Sequence, residues 1–326
     1  MAILITGGAG YIGSHMVLAA LDRGRDVVVL DNLSTGIRAL VAEKAQFQLG
    51  NAGDPALLAE LFQRHAITAV IHFAGSIVVP ESVANPLYYY QNNTAVSRTL
   101  IQACVQAGVK HFIFSSTAAV YGIPAHNPVT EKTDTAPINP YGRSKLMTEW
   151  MLEDTARAHD FRYVALRYFN VAGADPGGRS GQSTPNATHL IKRACQAALG
   201  RVPALDIFGT DFPTPDGTGV RDYIHVSDLV AAHALALAHL EQGGASTLFN
   251  CGYGHGFSVR DVIDTVSKVV GRKVPTREGP RRAGDPPALV ADSSQLQAQF
   301  GWRPNYDDLE QIVSTAYAWE ARLNSA

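Results

Sequence analysis

The sequence predicts an α/β protein in which a doubly wound parallel sheet is followed by a smaller C-terminal α/β domain. In the first half, short apolar runs rich in β-branched residues alternate with longer amphipathic stretches, a pattern typical of a parallel sheet covered by helices on both faces. The chain has 326 residues, of which 46% are hydrophobic, and a single core rarely organises a chain of this length. Both observations favour two domains.

The predicted elements of the first half follow a regular order. Apolar runs predict strands at 3–6, 27–30, 47–49, 69–73 and 112–115. Amphipathic stretches predict helices at 12–23, 55–64 and 92–107. A helix at 142–159 and a strand at 163–166 continue the pattern, which then breaks in a stretch rich in glycine, proline, serine and aspartate at 172–185.

We place the domain boundary at this break, with residues 1–172 in the first domain and residues 173–326 in the second. A predicted helix at 227–240 and a predicted strand at 247–251 look like further elements of the first sheet. We therefore expect the segment at about 225–251 to return to the first domain.

Composition excludes several classes of function. Lys and Arg number 27 against 29 Asp and Glu, and a net charge of −2 argues against a nucleic-acid-binding protein. No apolar run is long enough for a membrane span, and the apolar N-terminus predicts a buried strand and not a signal peptide. The widely spaced Cys104, Cys195 and Cys251, with histidines that lack ligand spacing, predict no disulfide, no metal site and a cytoplasmic location.

The first predicted strand is followed by a glycine-rich turn, and the turn by a helix. Residues 7–13 read Gly-Gly-Ala-Gly-Tyr-Ile-Gly, which satisfies the G-x-G-x-x-G pattern. Gly7, Gly10 and Gly13 permit a tight turn and let the backbone approach a pyrophosphate at the helix N-terminus. Strand, turn and helix in this order predict a Rossmann-type dinucleotide site, to which Tyr11 and Ile12 contribute.

Asp31 ends the second predicted strand and indicates which dinucleotide binds. Its carboxylate can accept hydrogen bonds from the adenine-ribose hydroxyls and would repel a 2′-phosphate, so the sequence favours NAD over NADP. Arg38 is the nearby cation that would reverse this preference.

A tyrosine and a lysine four residues apart, Tyr141 and Lys145, indicate a catalytic site. They share one face of a predicted helix, and Thr117 follows a strand at the carboxyl edge of the sheet, where ligands bind in open α/β sheets. A phenol has to lose about 3 pKa units, roughly 4 kcal/mol, to act as a base near pH 7. A cation ~4 Å away at an effective dielectric constant near 20 supplies about that much, so we expect Lys145, helped by the positive nicotinamide ring of NAD⁺, to lower the pKa of Tyr141.

The glycine turn, Asp31, Thr117 and the Tyr141–Lys145 pair resemble the extended short-chain dehydrogenase/reductase family. More specific segments carry the resemblance to about residue 320 and point to the nucleotide-sugar 4-epimerases of that family. These segments are 85–93 (Asn-Pro-Leu-Tyr-Tyr-Tyr-Gln-Asn-Asn), 166–170 (Leu-Arg-Tyr-Phe-Asn), 207–209 (Ile-Phe-Gly), 216–225 (Asp-Gly-Thr-Gly-Val-Arg-Asp-Tyr-Ile-His) and 281–285 (Arg-Arg-Ala-Gly-Asp).

The resemblance implies reversible interconversion of UDP-glucose and UDP-galactose. The C4 hydrogen of these sugars is not acidic, because no adjacent carbonyl stabilises a carbanion. A tightly bound NAD would instead accept hydride from C4 while Tyr141 takes the hydroxyl proton; the 4-keto sugar then turns over in the site, and hydride returns to its other face. The family further implies a homodimer formed by the helices around 92–107 and 142–159.

The resemblance also completes the set of expected site residues. The catalytic residues are Thr117, Tyr141 and Lys145. The expected NAD contacts are Gly7, Gly10, Tyr11, Ile12, Gly13, Asp31, Asn32, Asn51, Ala52, Phe73, Ala74, Gly75, Asn92, Ser115, Tyr141, Lys145 and Tyr168. The expected UDP-sugar contacts, mostly in a second domain that holds the nucleotide sugar, are Thr117, Tyr141, Asn170, His189, Leu190, Phe208, Arg221, Tyr223, Arg282, Asp285 and Leu289.

The chain departs from the family pattern at several positions. Thr117 stands where many members have serine, and it keeps the hydroxyl. Asn51 replaces an aspartate that contacts adenine but can still accept a hydrogen bond, whereas Ile77 replaces a cofactor-directed lysine, which predicts weaker NAD retention. His189 takes an asparagine position near the substrate phosphates. Leu289 replaces a tyrosine that narrows the sugar pocket in some members, so UDP-GlcNAc and UDP-GalNAc stay open as substrates.

Three other functions compete with this interpretation. A sugar-nucleotide 4,6-dehydratase would need proton-transferring side chains after the threonine, where this chain has Ala118 and Ala119. An enzyme that decarboxylates or epimerises UDP-glucuronate differs mainly in how a C6 carboxylate is held, and it stays open. A catalytically silent NAD-sensing regulator would have no use for the Tyr141–Lys145 pair.

Overall fold

The computed structural model describes residues 2–185, 187–282 and 285–323. The strands are β1 (Ala2–Thr6), β2 (Asp26–Asp31), β3 (Gln46–Leu49), β4 (Ile67–His72), β5 (His111–Thr117), β6 (Arg162–Tyr168), β7 (Asn170–Ala172), β8 (Leu205–Phe208), β9 (Val220–Arg221), β10 (Tyr223–His225), β11 (Thr247–Cys251), β12 (Phe257–Ser258), β13 (Thr276–Gly279) and β14 (Ala288–Leu289). The α-helices are α1 (Tyr11–Asp22), α2 (Pro55–Arg64), α3 (Val79–Ala84), α4 (Pro86–Tyr89), α5 (Val96–Ala107), α6 (Pro140–Ala158), α7 (Leu190–Ala198), α8 (Val226–Glu241), α9 (Val259–Val270), α10 (Ser294–Phe300) and α11 (Leu309–Arg322). Short 3-10 helices occupy Arg38–Leu40 and Ala118–Tyr121, and Tyr90–Ala95 is a π-helical segment between α4 and α5.

In the described part of the chain, a parallel sheet of seven strands has the order β11-β6-β5-β4-β1-β2-β3. The strand order reverses between β1 and β4, which makes the carboxyl end of β1 the switch point where open α/β sheets bind ligands. The predicted doubly wound sheet is confirmed. Strand β11 joins its edge beside β6 in parallel register, so the chain returns to this sheet after a long excursion.

Alternation along the strands buries both faces of the sheet. On β1, Ile3 and Ile5 belong to one core cluster together with residues of α1 and α8. Leu4, on the opposite face, belongs to a second cluster with residues of α2 and α5. Because both faces of the central strands are covered in this way, the carboxyl edge of the sheet is a firm platform for the residues that follow it.

The second region is built from short strand pairs and three packed helices. Small sheets pair β10 with β7, β13 with β8, and β9 with both β12 and β14, while α7, α9 and α11 pack on one another. The registers place Asn170 opposite Tyr223 and Arg221 opposite Leu289. These pairings bring together positions that lie far apart in the sequence.

Two helices begin two or more residues away from their predicted starts. The helix predicted at 92–107 is an α-helix only from Val96, because residues 90–95 are wound as a π-helix. Helix α6 begins at Pro140, two residues before the predicted start, since the Asn139 side chain accepts a hydrogen bond from the backbone N–H of Gly142 at 2.8 Å and caps the first turn.

Candidate active site

Nearly all the residues expected to contact a dinucleotide lie at the carboxyl edge of the seven-stranded sheet. Each group ends or follows a strand: 7–13 after β1, Asp31 and Asn32 at β2, Asn51 and Ala52 after β3, Phe73–Gly75 after β4, Ser115 in β5, and Tyr168 at the end of β6. Asn92 comes instead from the π-helical segment, where its side-chain amide donates to the Ser76 hydroxyl at 2.9 Å. The expected set therefore forms one continuous edge.

The glycine turn after β1 is shaped by contacts that exclude side chains. Gly7 has φ +72°, and a Cβ there would lie 2.6 Å from the backbone nitrogen of Ala74. A Cβ on Gly13 would lie 2.1 Å from the Gly7 carbonyl oxygen, so α1 can pack on the turn only without one. Gly10 begins α1, and among the described residues no side chain caps this helix and no acidic residue occupies its first turn. This N-terminus suits an anionic pyrophosphate.

The Tyr11 side chain points away from this turn. Its hydroxyl donates to the carbonyl of Gly173 at 2.6 Å and ties the start of α1 to the loop that follows β7. Any contact of Tyr11 with a phosphate would therefore come from its backbone N–H.

Asp31 is held in place by two backbone donors. Its carboxylate accepts from the N–H of Ala9 at 2.9 Å and from the N–H of Leu33 at 2.8 Å, and it is almost fully buried. Arg38 does not neutralise it: the Arg38 guanidinium lies over the Phe47 ring at 4.5 Å from the ring centre. The negative charge of Asp31 is therefore not neutralised by Arg38. It favours NAD over a 2′-phosphorylated dinucleotide.

Thr117, Tyr141 and Lys145 come together where β5 ends and α6 begins. Tyr141 and Lys145 occupy successive turns of one face of α6, and the Tyr141 hydroxyl is hydrogen-bonded to Thr117. The Lys145 ammonium donates to the Ser115 carbonyl at 2.9 Å and lies 5.0 Å from the centre of the Phe114 ring. All three side chains are buried, with 4% of Lys145 exposed.

Burial dominates the electrostatics of this trio. Burial raises the pKa of Tyr141, and the hydrogen bond from Thr117 offsets only part of that effect. Burial lowers the pKa of Lys145 to about 8, with Glu149 opposing the shift. The expected lowering of the Tyr141 pKa by Lys145 together with the nicotinamide ring of NAD⁺ stays a prediction, and it has to overcome this desolvation of the phenol. A further positive charge at this edge is needed, and the nicotinamide ring of NAD⁺ carries one.

Four of the expected substrate contacts line one cavity between the two regions. Asn170, His189, Leu190 and Tyr223 surround it together with Tyr11, and it encloses about 500 Å³ of empty space, part of it open to solvent. His189 precedes the first turn of α7, and burial lowers its pKa to about 4, so its imidazole is neutral at pH 7. The cavity floor is closed by α11 through a buried ion pair of Lys192 and Glu320 at 2.6 Å.

Arg221 carries a guanidinium that is largely desolvated and has no ion-pair partner among the described residues. It donates to the Val220 carbonyl at 2.9 Å, and burial lowers its pKa. Asp285 and Arg282 act on it electrostatically, and they approach each other to 4.0 Å. An unpaired arginine of this kind is suited to an anion such as a diphosphate.

Phe208 and Arg282 contact each other, and Leu289 lies apart from them, near the catalytic trio. The Arg282 guanidinium covers the exposed Phe208 ring at 4.1 Å from its centre. Leu289 belongs to an apolar cluster with Ala118 and Leu146, beside the catalytic trio. Ile77 is exposed, so at this position the chain offers the cofactor no charge.

Several residues that were not predicted from the sequence lie behind the catalytic trio and support it. Asn93 joins the loop after β4 to α6, accepting from the N–H of Ser76 at 2.7 Å and donating to the Ser144 hydroxyl at 3.0 Å. A buried Glu149–Arg167 pair lies behind Lys145. The spacing of Tyr141, Lys145 and Glu149 was the available signal, since it repeats every four residues on one helix face.

In the part of the chain that the structure describes, no helix is both long and apolar enough to cross a membrane. The same residues hold no group of histidine, cysteine and carboxylate side chains that could bind a metal ion.

The fold and the site define a Rossmann-type enzyme in which a glycine turn and a Tyr–Lys pair share the carboxyl edge of one sheet. The chain belongs to the NAD dependent epimerase/dehydratase family, whose sequence model matches residues 3–252. It is 57% identical to a UDP-glucose 4-epimerase of Azospirillum brasilense over 99% of this chain and 93% of that protein.

Solved structures agree over the whole length. The structure of a UDP-glucose 4-epimerase from Brucella ovis in complex with NAD matches with a TM-score of 0.94 and 45% identity, over 98% of both chains. A UDP-Glc/GlcNAc 4-epimerase from Campylobacter jejuni matches with a TM-score of 0.86 and 47% identity, over 98% of this chain and 99% of that one.

Proposed function

We propose that this chain interconverts UDP-glucose and UDP-galactose by reversible epimerisation at C4, with NAD as a tightly bound cofactor. The observation that carries the proposal is the meeting of Thr117, Tyr141 and Lys145 at the end of β5, on the edge that also bears the glycine turn. The likeness to UDP-glucose 4-epimerases over nearly the full chain supports the substrate. A silent regulator is not favoured, because the catalytic pair is intact and buried.

In this proposal, each of the three side chains has its own task. NAD, when bound, supplies the acceptor and donor of hydride at C4. Tyr141 takes the proton of the C4 hydroxyl and later returns it. Thr117, already hydrogen-bonded to Tyr141, orients the sugar oxygen towards the phenol. Lys145 favours the phenolate as long as it is protonated, so activity should fall as the pH rises through its pKa.

The nucleotide carries the affinity for the substrate. We infer that residues 1–172, with the returning segment at about 225–251, hold NAD, and that the remainder of 173–326 holds the UDP-sugar. Arg221 and Arg282 are suited to the diphosphate, and Asn170 and Tyr223 line the cavity described above. The 4-keto sugar has to turn over between hydride transfers, which a tightly held sugar ring would prevent.

A product assay with three substrates tests the proposal. Purified protein is incubated separately with UDP-galactose, UDP-GalNAc and UDP-galacturonate, and the products are separated by chromatography. We expect conversion of UDP-galactose to UDP-glucose without added NAD. Conversion of the uronate alone would contradict the proposal and favour an enzyme of UDP-glucuronate.

The N-acetylated sugars are a second candidate substrate class. Leu289 packs beside Ala118 and Leu146 next to the trio and is smaller than a tyrosine. The UDP-Glc/GlcNAc 4-epimerase among the similar structures acts on both types of sugar by its name. Conversion of UDP-GalNAc at a rate comparable to that of UDP-galactose would establish this wider specificity.

We infer that two copies of the chain associate through the helices around 92–107 and 142–159, that is α5 and α6, with α3 and α4 beside α6. These helices pack together and expose large apolar side chains, among them Leu87, which is 77% exposed, and Trp150, which is 53% exposed. Apolar side chains clustered in this way mark interfaces. Sedimentation of the protein should show a dimer, and Leu87→Glu should shift it to a monomer.

A cytoplasmic location is part of the proposal. The three cysteines, Cys104, Cys195 and Cys251, are buried free thiols, as expected in a reducing compartment.

A further inference from the structure

A third residue lies on the face of α6 that carries the catalytic pair. Glu149 follows Lys145 by four residues, so Tyr141, Lys145 and Glu149 occupy successive turns. Glu149 is 5% exposed, and its carboxylate lies in the interior. An acidic side chain is rarely buried unless it is paired and hydrogen-bonded.

Two strands supply the partners of the Glu149 carboxylate. The Ser116 hydroxyl on β5 donates to Oε1. Arg167 on β6 donates from Nε to Oε1 at 3.0 Å and from Nη2 to Oε2 at 2.6 Å. Ser116 and Arg167 are neighbours in the β5–β6 register, so a single carboxylate fastens α6 to both strands.

Three consecutive residues at the end of β5 contact this face of α6. The Ser115 carbonyl accepts from Lys145 at 2.9 Å, the Ser116 hydroxyl donates to Glu149, and Thr117 is hydrogen-bonded to Tyr141. Consecutive strand residues thus contact three turns of the helix. A shift of α6 along its axis would break all three contacts together.

The same network reaches the segment that follows Thr117. Arg167 donates from Nη1 to the Tyr121 hydroxyl at 3.1 Å, and that hydroxyl donates to Asn250 Oδ1 at 2.7 Å. Tyr121 ends the 3-10 helix that begins after Thr117. The ion pair therefore holds the surroundings of Thr117 as well as α6.

We propose that Glu149 is a positioning residue for the Tyr141–Lys145 pair. Its carboxylate, fastened by Ser116 and Arg167, fixes the register of α6 against β5 and is the buried negative charge that faces the Lys145 ammonium. Glu149 is assigned no contact with substrate or cofactor and acts through the two residues that precede it on the helix. The proposal deepens the proposed function and, for its activity readouts, rests on it.

The other ionisable groups around Lys145 do not supply this charge. His72 on β4 is neutral, since burial lowers its pKa to about 3. Tyr168 on β6 and Tyr89 on α4 are phenols whose pKa burial raises, so they too stay neutral. With these groups neutral, Glu149 is the anion that acts on Lys145 among the described groups.

Glu149→Gln tests the charge, with Glu153→Gln as the matched control. The control makes the same chemical change one turn further along α6, where Glu153 is exposed and pairs with Arg157. In holoenzyme carrying carbon-13-labelled lysine, the Cε resonance of Lys145, assigned with Lys145→Met, reports its protonation. We expect Glu149→Gln to lower the pKa of Lys145 by at least about one unit and Glu153→Gln to leave it unchanged.

The pH profile of kcat should follow the same direction. Lys145 loses its proton at lower pH in Glu149→Gln, so the fall in kcat on the basic side should begin at lower pH, while KM for UDP-galactose stays unchanged. A folded, NAD-loaded Glu149→Gln protein whose Lys145 titration and pH profile match those of Glu153→Gln would overturn the role of the charge.

Two further variants test the anchoring. Glu149→Asp keeps the charge but cannot reach both partners, and Ser116→Ala removes one donor without altering charge. Both should lower kcat several-fold with KM and the Lys145 titration close to the wild-type values. Wild-type kcat in both variants would overturn the anchoring role, and this comparison decides the matter even where Glu149→Gln fails to fold.

Failure of the proposed function would be visible separately. A wild-type protein that converts no UDP-hexose contradicts the epimerase assignment, whereas the Lys145 titration, which needs no substrate, still tests the position and charge of Glu149.

Discussion

The edge that faces the cofactor and the region that faces the substrate place their functional groups by different means. At the cofactor edge, the backbone sets positions: Gly7 and Gly13 make contacts that admit no side chain, and two backbone N–H groups hold the Asp31 carboxylate. In the substrate region, long side chains on short strands and loops carry the function. Arg282 lies on Phe208, and Arg221 is bound to a neighbouring carbonyl.

This difference has a physical consequence for binding. Groups fixed by the backbone lose little freedom when a ligand arrives, so the cofactor edge is organised in advance. Arg282 and Phe208 are both partly exposed, so the substrate region is less ordered in advance and can adapt to its ligand. The pre-organised edge suits a cofactor that stays bound, and the adaptable region suits a substrate that exchanges in every cycle.

Tyr141→Phe should give the largest effect. It removes the phenol hydroxyl that takes the proton and leaves the shape of the cofactor edge nearly unchanged. We expect kcat to fall by about 10³-fold or more, the upper range for a positioned acid–base group. Bound NAD, measured after release by denaturation, should stay at the wild-type level. Tyr88→Phe on the exposed part of α4 is the control and should keep full activity. Persistent turnover in Tyr141→Phe would mean that another group is the base.

Gly13→Ala tests whether the backbone sets the positions of the functional groups at the cofactor edge. The added Cβ would lie 2.1 Å from the Gly7 carbonyl oxygen, so the turn has to open. We expect NAD affinity to fall on the order of 100-fold, about 2.7 kcal/mol. Isothermal titration checks this. Gly279→Ala, where the nearest atom is 3.8 Å away, should leave NAD affinity unchanged. Equal affinities in both variants would show that the turn is less restrictive than its geometry indicates.

Arg221→Met tests whether long side chains bind the ligand in the substrate region. Loss of charge-assisted hydrogen bonds, each worth about 1.5–3 kcal/mol, should weaken UDP binding by roughly 10- to 100-fold. Because Arg221 has no ion-pair partner among the described residues, no carboxylate is left unpaired and Tm should change little. Arg260→Met, which removes an exposed cation paired with Glu278, serves as the comparison and should bind UDP normally. Unchanged UDP affinity in Arg221→Met would remove it from the diphosphate site.

His189→Asn should have the smallest effect. The pKa of His189 is lowered to about 4, so the imidazole gains a proton only as the pH falls towards that value and carries no charge at pH 7. We expect KM for the UDP-sugar to change by less than about threefold, and the pH profile between about 6 and 8 to keep its shape. A pH-dependent rise in KM specific to wild type would show that His189 binds phosphate as a cation.

The same contrast explains what the sequence could predict. Strand and helix periodicity located β1, α1, β2 and α2 almost to the residue, and the glycine spacing marked the turn, because backbone geometry at these points demands particular residue types. The return of residues 247–251 to the sheet was also visible, as a strongly apolar run. The Tyr141–Lys145 face was predicted from the four-residue spacing together with the position of Thr117 after a strand.

The remainder depends on contacts between distant residues. Strands such as β9 and β14 have two residues each and carry no periodic signal, yet their pairing sets Arg221 beside Leu289. Helices α7, α9, α10 and α11 were not predicted. Burial of Tyr141, which raises the pKa of its phenol, follows from packing that no local pattern encodes.

The late return of β11 bears on how the protein is made. Strand β6 has β5 on one side and gains β11 on the other only when residues 247–251 arrive. During synthesis, therefore, β6 stays an unpaired edge while some 80 further residues are added, a count that follows from the 162–168 and 247–251 bounds. An open strand of this kind can pair with other chains. Truncations that remove β11 should aggregate, even though they keep every catalytic residue.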